Sequence, residues 1–396
     1  MNPFDEELNR RLETLGDQGL RRELRRVDSA QGPRIKIGGK TFLNFSSNDY
    51  LGLANHPSLK EAAIKAVEKF GAGAGASRLI CGSLAPFHEL EEALATFKKA
   101  GAALTFSTGY AAAIGTICAL LGKDDIIVID KLVHASIVDA ARLSGAKLRV
   151  FDHNDMADLE KILKWADKNS KAASGKRQAK VLVVTESIFS MDGDAAPLRE
   201  IVALKEKYGA WLMVDEAHAT GLYGKNRRGL AEELGVSDQI EIQMGTLGKA
   251  LGASGGYICG SRALVDFLVN RARSFIFSTA PVPAAAAAAT AGIQLVQSNE
   301  GQSRCDLLWK LVKQFDSKSA SAIVPILIGD ENEAVAAAAK LRDQNIFIPA
   351  IRYPTVARGA ARLRLTLTAA HTAEDLAQLT RTLAGLKSEI PNLKLP

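Results

Sequence analysis

Between residues 124 and 244 the chain alternates short apolar runs with longer stretches whose apolar residues recur at helical spacing. A run too short for a helix and apolar throughout reads as a strand buried on both faces. Such strands, separated by amphipathic helices, build a parallel sheet with crossover connections. The pattern predicts strands over 126–129, 148–151, 181–184, 211–214 and 240–244, with helices over 156–166 and 198–208. Residues 255–260, bounded by glycines, read as one more strand. The alanines of 284–289, just past Pro283, predict a closely packed helix. The tail then changes character. Strands over 322–328 and 346–351 and helices over 333–344 and 372–386 predict a smaller α+β domain reached through a long connecting helix. Residues 168–180 carry Ser, Lys, Ala and Gly without periodicity and read as an exposed loop. The expected organisation is an N-terminal helical and strand segment over 1–48, a large α/β domain over 49–290 and an α+β domain over 291–396. The large domain is expected to hold a mostly parallel central sheet with helices on both faces.

Composition narrows the partners. A net charge of +6, from 50 Lys and Arg against 44 Asp and Glu, is too diffuse to point to nucleic acid, though it suits a phosphate-bearing substrate. Cys81, Cys118, Cys259 and Cys305 are far apart and form no CxxC pair, so neither a metal site nor a disulfide framework is indicated. That usage fits a reducing compartment. The first 26 residues are crowded with Glu, Asp and Arg, unlike a secretory signal, and no apolar run reaches membrane-spanning length. The expected setting is cytoplasmic, with no membrane partner.

Chemistry concentrates at strand ends. In open α/β sheets ligands bind outside the carboxyl ends of the strands, and there the run Val214-Asp215-Glu216-Ala217-His218 places an acid and an imidazole. Thr246-Leu247-Gly248-Lys249 follows the next strand with a lysine among small residues, Ala250 to Ser254, that leave room for a bulky ring. Alone, Lys249 reads more readily as a surface lysine in a glycine-rich loop. With Asp215 it suggests a pyridoxal-phosphate site, because an aldehyde cofactor needs a lysine for its Schiff base and a carboxylate to keep its ring nitrogen protonated. His218 is suited to the ring hydroxyl oxygen. Phe106-Ser107-Thr108-Gly109-Tyr110 precedes a small-residue helix whose first N–H groups can seat a phosphate, although plain capping by Ser107 or Thr108 explains the same residues. His134, just past the strand ending at Asp130, is a candidate to stack on the ring.

Asp215-Glu216-Ala217-His218 also spells the acidic motif of a nucleic-acid helicase. That chemistry requires G-x-x-x-x-G-K-[ST]. Gly245-Thr246-Leu247-Gly248-Lys249-Ala250 has the wrong glycine spacing, no hydroxyl after the lysine, and lies downstream of the acidic motif, so the helicase reading fails.

With these residues in place the chain resembles the α-oxoamine synthases, fold-type I pyridoxal-phosphate enzymes. The resemblance covers nearly the whole chain. It is carried by the two strand-end stretches, by Asn44-Phe45-Ser46-Ser47-Asn48-Asp49-Tyr50-Leu51-Gly52-Leu53, and by Thr185-Glu186-Ser187-Ile188-Phe189-Ser190-Met191-Asp192-Gly193-Asp194. Phe151-Asp152-His153-Asn154-Asp155, Ala350-Ile351-Arg352-Tyr353-Pro354-Thr355-Val356 and the run from Ala361 to His371 resemble the branch that condenses L-alanine with a pimeloyl thioester.

The resemblance implies roles. Lys249 holds the cofactor, Asp215 its ring nitrogen and His218 its ring oxygen, while His134 stacks on the ring. Gly109 and Tyr110 bind phosphate through their backbone, with Ser190 and Thr246 nearby. Thr279 reaches the phosphate from a second subunit, which implies a homodimer with shared active sites. Arg364 grips the amino acid carboxylate, and Arg22, Asn48, Arg352 and Thr355 serve the acyl end. The implied reaction is a decarboxylative condensation in which pimeloyl-CoA or a pimeloyl-carrier protein acylates L-alanine. Two features depart from that branch. Gly75-Ala76-Ser77-Arg78-Leu79-Ile80-Cys81-Gly82 is nearer the general family pattern, and Tyr353 stands where a second proline is common. They keep open another aminoketone synthase, such as a glycine C-acetyltransferase or a 5-aminolevulinate synthase. A scaffold subunit of the same fold is expected to lack the Schiff-base lysine, and Lys249 is present.

Overall fold

The apolar runs pair into a seven-stranded sheet in the computed structural model, which describes residues 2–170 and 178–389. The strands lie in the order Ala102–Phe106, Gly256–Gly260, Ile242–Thr246, Trp211–Asp215, Val181–Glu186, Ile126–Asp130, Lys147–Phe151. Gly256–Gly260 runs antiparallel to both neighbours, and the other pairings are parallel. The mostly parallel α/β sheet expected from the alternation is therefore present. Its interior strands are buried along their length, as sheets covered by helices on both faces require. Ile127, Ile129, Leu182, Val184, Met213 and Ile242 form one continuous apolar core with Ala112, Ile117, Ile137 and Ala141 from the covering helices. Each large aliphatic side chain buried there contributes about 1.5–3 kcal/mol relative to exposure.

The helix Gly109–Leu120 approaches the sheet closely because its first residue has no side chain. A Cβ on Gly256 would lie 2.6 Å from the Gly109 backbone, and one on Gly109 would lie 2.6 Å from Thr246 Cγ2. This unit comprises Leu53–Ser190 and Asp194–Cys305. The alanine run becomes part of the helix Pro283–Gln297.

The second unit comprises the described residues of Met1–Gly52, Met191–Gly193 and Asp306–Pro396. A hairpin of Arg34–Ile37 and Lys40–Asn44 takes Ile346–Phe347 as a parallel third strand. A second small sheet orders Ile323–Gly329, Ala361–Thr366 and Ala350–Ile351 antiparallel. The helices Glu331–Asp343 and Ala373–Glu389 complete it. The first helix, Pro3–Asp17, is capped by the Asn2 side chain, which accepts from the Phe4 N–H at 3.0 Å, and buries no residue.

Two expectations need correction. Residues 346–351 are two strands in two different sheets, because Pro349 between them offers no N–H to either ladder. Lys168–Ser170 belong to the helix Met156–Ser170 and not to the expected loop, whose residues 171–177 lie outside the described residues. Periodicity does not single out the strand Ala102–Phe106, whose two alanines, separated by three residues from the end of the helix Ala85–Lys98, dilute the strand signal.

Candidate active site

The carboxyl ends of four neighbouring strands deliver polar side chains to one place. Val181–Glu186 ends in Glu186 and Trp211–Asp215 in Asp215, and these two residues are register partners. Ile242–Thr246 ends in Thr246, and Lys249 follows within three residues. Ile126–Asp130 leads to His134, the N-cap of the helix Ala135–Ser144. Together with Gly109, Tyr110, Ser136, Ala217, His218 and Met244, these residues line a cavity of about 120 Å³. A larger open groove of about 870 Å³ runs past Arg78 and Glu91. Those two charges are committed to each other at 2.9 Å, so size does not select the site here.

Electrostatics sets the state of each wall. Asp215 is buried, and its Oδ1 accepts the Ala217 N–H at 2.9 Å. Burial raises its pKa, while Lys249 and that N–H pull it back. His134 accepts the Ser136 N–H on Nδ1 at 3.2 Å and lies 2.8 Å from Ser136 Oγ. Burial lowers its pKa, with Asp215 opposing and Lys249 adding to the shift, so the ring stays neutral at pH 7. Glu186 is 2 % exposed and its pKa is held well above the carboxylate range, first by burial and then by the charge of Asp215. The Thr246 hydroxyl is buried without a hydrogen-bond partner among the described residues.

Most sequence-predicted cofactor residues thus converge: Gly109, Tyr110, His134, Asp215, His218, Thr246 and Lys249 all line the cavity. Tyr110 also donates from its hydroxyl to Asp139 Oδ2 at 2.7 Å. Ser190 stands one step back, donating its N–H to Glu186 Oε2 at 3.2 Å. Thr279 does not line the cavity. It is exposed and bridges to Ser77.

The substrate candidates are built on the smaller unit. Arg364 is buried on Ala361–Thr366, and one guanidinium nitrogen donates to Asn48 Oδ1 and Thr366 Oγ1, both at 3.0 Å. Arg22 donates to the Tyr353 carbonyl at 3.1 Å, and Arg352 donates to the Arg21 carbonyl. Arg22 and Arg25 lower the Arg352 pKa after burial has done so first, which places three guanidinium groups close together. The Thr355 N–H donates to the Arg352 carbonyl at 3.0 Å.

Sequence reasoning missed Glu186 and Ser136 as walls of the cavity. Glu186 did carry a signal: it closes an apolar strand at the level of Asp215 and opens the run that ends in Ser190.

Residues 40–383 match the model of the family described as aminotransferase class I and II. The 8-amino-7-oxononanoate synthase of Anaeromyxobacter dehalogenans is 47% identical over 391 residues, spanning 96% of this chain and 95% of the relative. That of Geobacter sulfurreducens is 46% identical, spanning 96% and 97%. The chain belongs to the 8-amino-7-oxononanoate synthase family, within the class I and II aminotransferases. Solved structures agree on the fold. A serine palmitoyltransferase of S. paucimobilis with bound PLP–myriocin aldimine superposes with a TM-score of 0.89 at 28% identity, covering 99% of this chain and 100% of that one. The 8-amino-7-oxononanoate synthase of Francisella tularensis superposes with a TM-score of 0.73 at 28% identity, covering 88% and 98%. The expected fold-type I architecture is thereby shown, with its mostly parallel central sheet. No helix among the described residues is long and apolar enough to cross a membrane, and no cluster of His, Cys, Asp and Glu suited to a metal occurs among them.

Proposed function

We propose that this chain is a pyridoxal-phosphate-dependent acyltransferase that condenses L-alanine with a pimeloyl thioester, releasing carbon dioxide, to make 8-amino-7-oxononanoate for biotin formation. The observation that carries the proposal is the convergence of Lys249, Asp215, His134 and His218 on one cavity beside the N-terminus of Gly109–Leu120. The names of the relatives supply the substrates. Serine palmitoyltransferases share the fold, but the relatives at 46–47% identity favour alanine and a pimeloyl group over the 28% match.

The cavity fits pyridoxal phosphate. A buried acid, an amine and a neutral imidazole are what its ring requires, and the unpartnered Thr246 hydroxyl and the bare Gly109 backbone suit its phosphate. When bound, the cofactor supplies an electron sink for the charge left on the substrate carbon as a proton or carbon dioxide departs. Lys249 Nζ anchors it and, once free, moves the proton at the α-carbon of alanine. Asp215 holds the ring nitrogen in its protonated state, and His218 donates to the ring oxygen. His134, kept neutral, would stack on the ring without repelling its positive nitrogen. The N–H groups of Gly109 and Tyr110 seat the phosphate with Thr246 and Ser190, and Thr279 of the partner subunit completes the seat, so the working form is a homodimer. Arg364, its fork oriented by Asn48 and Thr366, grips the alanine carboxylate. Arg22, Arg352, Thr355 and Asn48 receive the acyl end, delivered on CoA or on a carrier protein. The setting is the cytoplasm.

Purified protein incubated with the cofactor should show a visible absorption band that Lys249→Ala abolishes. A wild-type protein with no band at saturating cofactor would overturn the proposal.

A further inference from the structure

The Glu186 carboxyl has no role in the chemistry above, yet it forms a wall of the cavity. It closes its strand opposite Asp215 in register, and its Oε2 accepts the Ser190 N–H at 3.2 Å. Its Oε1 is buried without a hydrogen-bond partner among the described residues, and the Asp215 side chain beside it accepts the Ala217 N–H. A buried carboxyl oxygen left unpaired is destabilising unless a ligand meets it. The titratable groups that share the cavity with it are Asp215 on the adjacent strand, Lys249 on the loop after Thr246, and the neutral His134 at the head of Ala135–Ser144. Two carboxyls at neighbouring strand ends in one small cavity cannot both carry charge cheaply.

We propose that Glu186 is a cofactor-binding residue that works as a neutral carboxylic acid, its Oε1 hydroxyl donating a hydrogen bond to the bound cofactor while Asp215 alone carries the negative charge. Burial and the Asp215 charge hold its proton on. Lys249 and the backbone N–H groups of His134 and Ser190 work in the opposite direction without prevailing. The inference rests on the function proposed above, whose own failure shows separately as absence of cofactor binding by the wild type.

Glu186→Gln keeps a neutral donor of the same shape, whereas Glu186→Leu removes it. The test is the pyridoxal-phosphate dissociation constant of each apoprotein, read by thermal shift and by the visible band from about pH 6 to about pH 8.5. Glu186→Gln should bind within about threefold of wild type, with a parallel pH dependence, and Glu186→Leu should bind at least about tenfold more weakly. The inference is overturned if Glu186→Gln weakens binding as much as Glu186→Leu, or if its pH curve departs from wild type. Circular dichroism of each apoprotein checks folding. If Glu186→Leu fails to fold, the glutamine comparison alone decides.

Discussion

Asp215 and Lys249 divide the electrostatic work of the cavity, and single substitutions should separate their parts. Asp215→Asn keeps the shape and the contact with the Ala217 N–H but removes the charge proposed to hold the ring nitrogen protonated. It should retain cofactor while kcat falls at least about 100-fold, since only the electron-withdrawing power of the ring is lost. Arg364→Lys should act on KM for alanine, raising it about tenfold or more with a smaller change in kcat. A point charge on a flexible stem cannot reproduce a planar fork held by Asn48 and Thr366. At this scale the sequence was informative wherever a residue type is chemically rare at its position. Asp215 and Lys249 stand out only as a pair, an acid closing one apolar strand and a lysine just past the next. Glu186 does so only once the register sets it against Asp215, because a strand-end glutamate is otherwise indistinguishable from a solvated one.

Two histidines tie elements together with opposite pH signs. His153 lies between Asp130 Oδ1 at 3.0 Å, at the end of Ile126–Asp130, and Asp194 Oδ2 at 2.7 Å. Burial opposes its charge, but the two carboxylates win and raise its pKa to about 10. A raised folded pKa gives stability that is fully present below the unfolded value, near 6.5, and is lost as pH climbs through about 10. The stability gap between wild type and His153→Gln, from urea unfolding, should therefore shrink steadily between those limits. His371 accepts the Thr368 N–H at 3.1 Å and faces the Asn44 carbonyl at 3.0 Å, and burial lowers its pKa to about 4. Its neutral form stabilises above the unfolded value, and that contribution is lost as pH falls from about 6.5 through about 4. Gly109→Ala tests the closest approach of helix to sheet. Its methyl would meet Thr246 at 2.6 Å, so cofactor affinity should drop with little change in the far core. Periodicity exposed the buried strands of the central sheet well, since apolar runs bounded by turns have few other uses. It failed at 346–351, where one apolar run serves two sheets and only Pro349 marks the break.

At the scale of the molecule, burial of charge limits what can change. Lys98 is 2 % exposed and donates to Glu216 Oε2 and to the Arg228 carbonyl. Burial works against its charge, and Glu216 more than restores it. Lys98→Met should cost about 3–5 kcal/mol by leaving a buried carboxylate without its counter-charge, with part recovered in the double variant carrying Glu216→Gln. Thr279, exposed and away from its own cavity, tests the proposed dimer. Mixing Thr279→Ala with Lys249→Ala subunits should restore activity at one site in each mixed dimer, and no recovery would argue against shared sites. The α/β class and the smaller α+β part were legible because sheet and tail differ in pattern. The pairing of the N-terminal hairpin with Ile346–Phe347 was not, because strand partners so far apart in the chain leave no local trace. The mass of the product shows which amino acid and which acyl group the enzyme joins. Incubation with cofactor, an equal mixture of L-alanine and glycine, and pimeloyl-CoA or acetyl-CoA should yield 8-amino-7-oxononanoate from alanine and the pimeloyl thioester. A product built from glycine and the acetyl group, with no turnover of alanine on either pimeloyl-CoA or a pimeloyl-carrier protein, would contradict it.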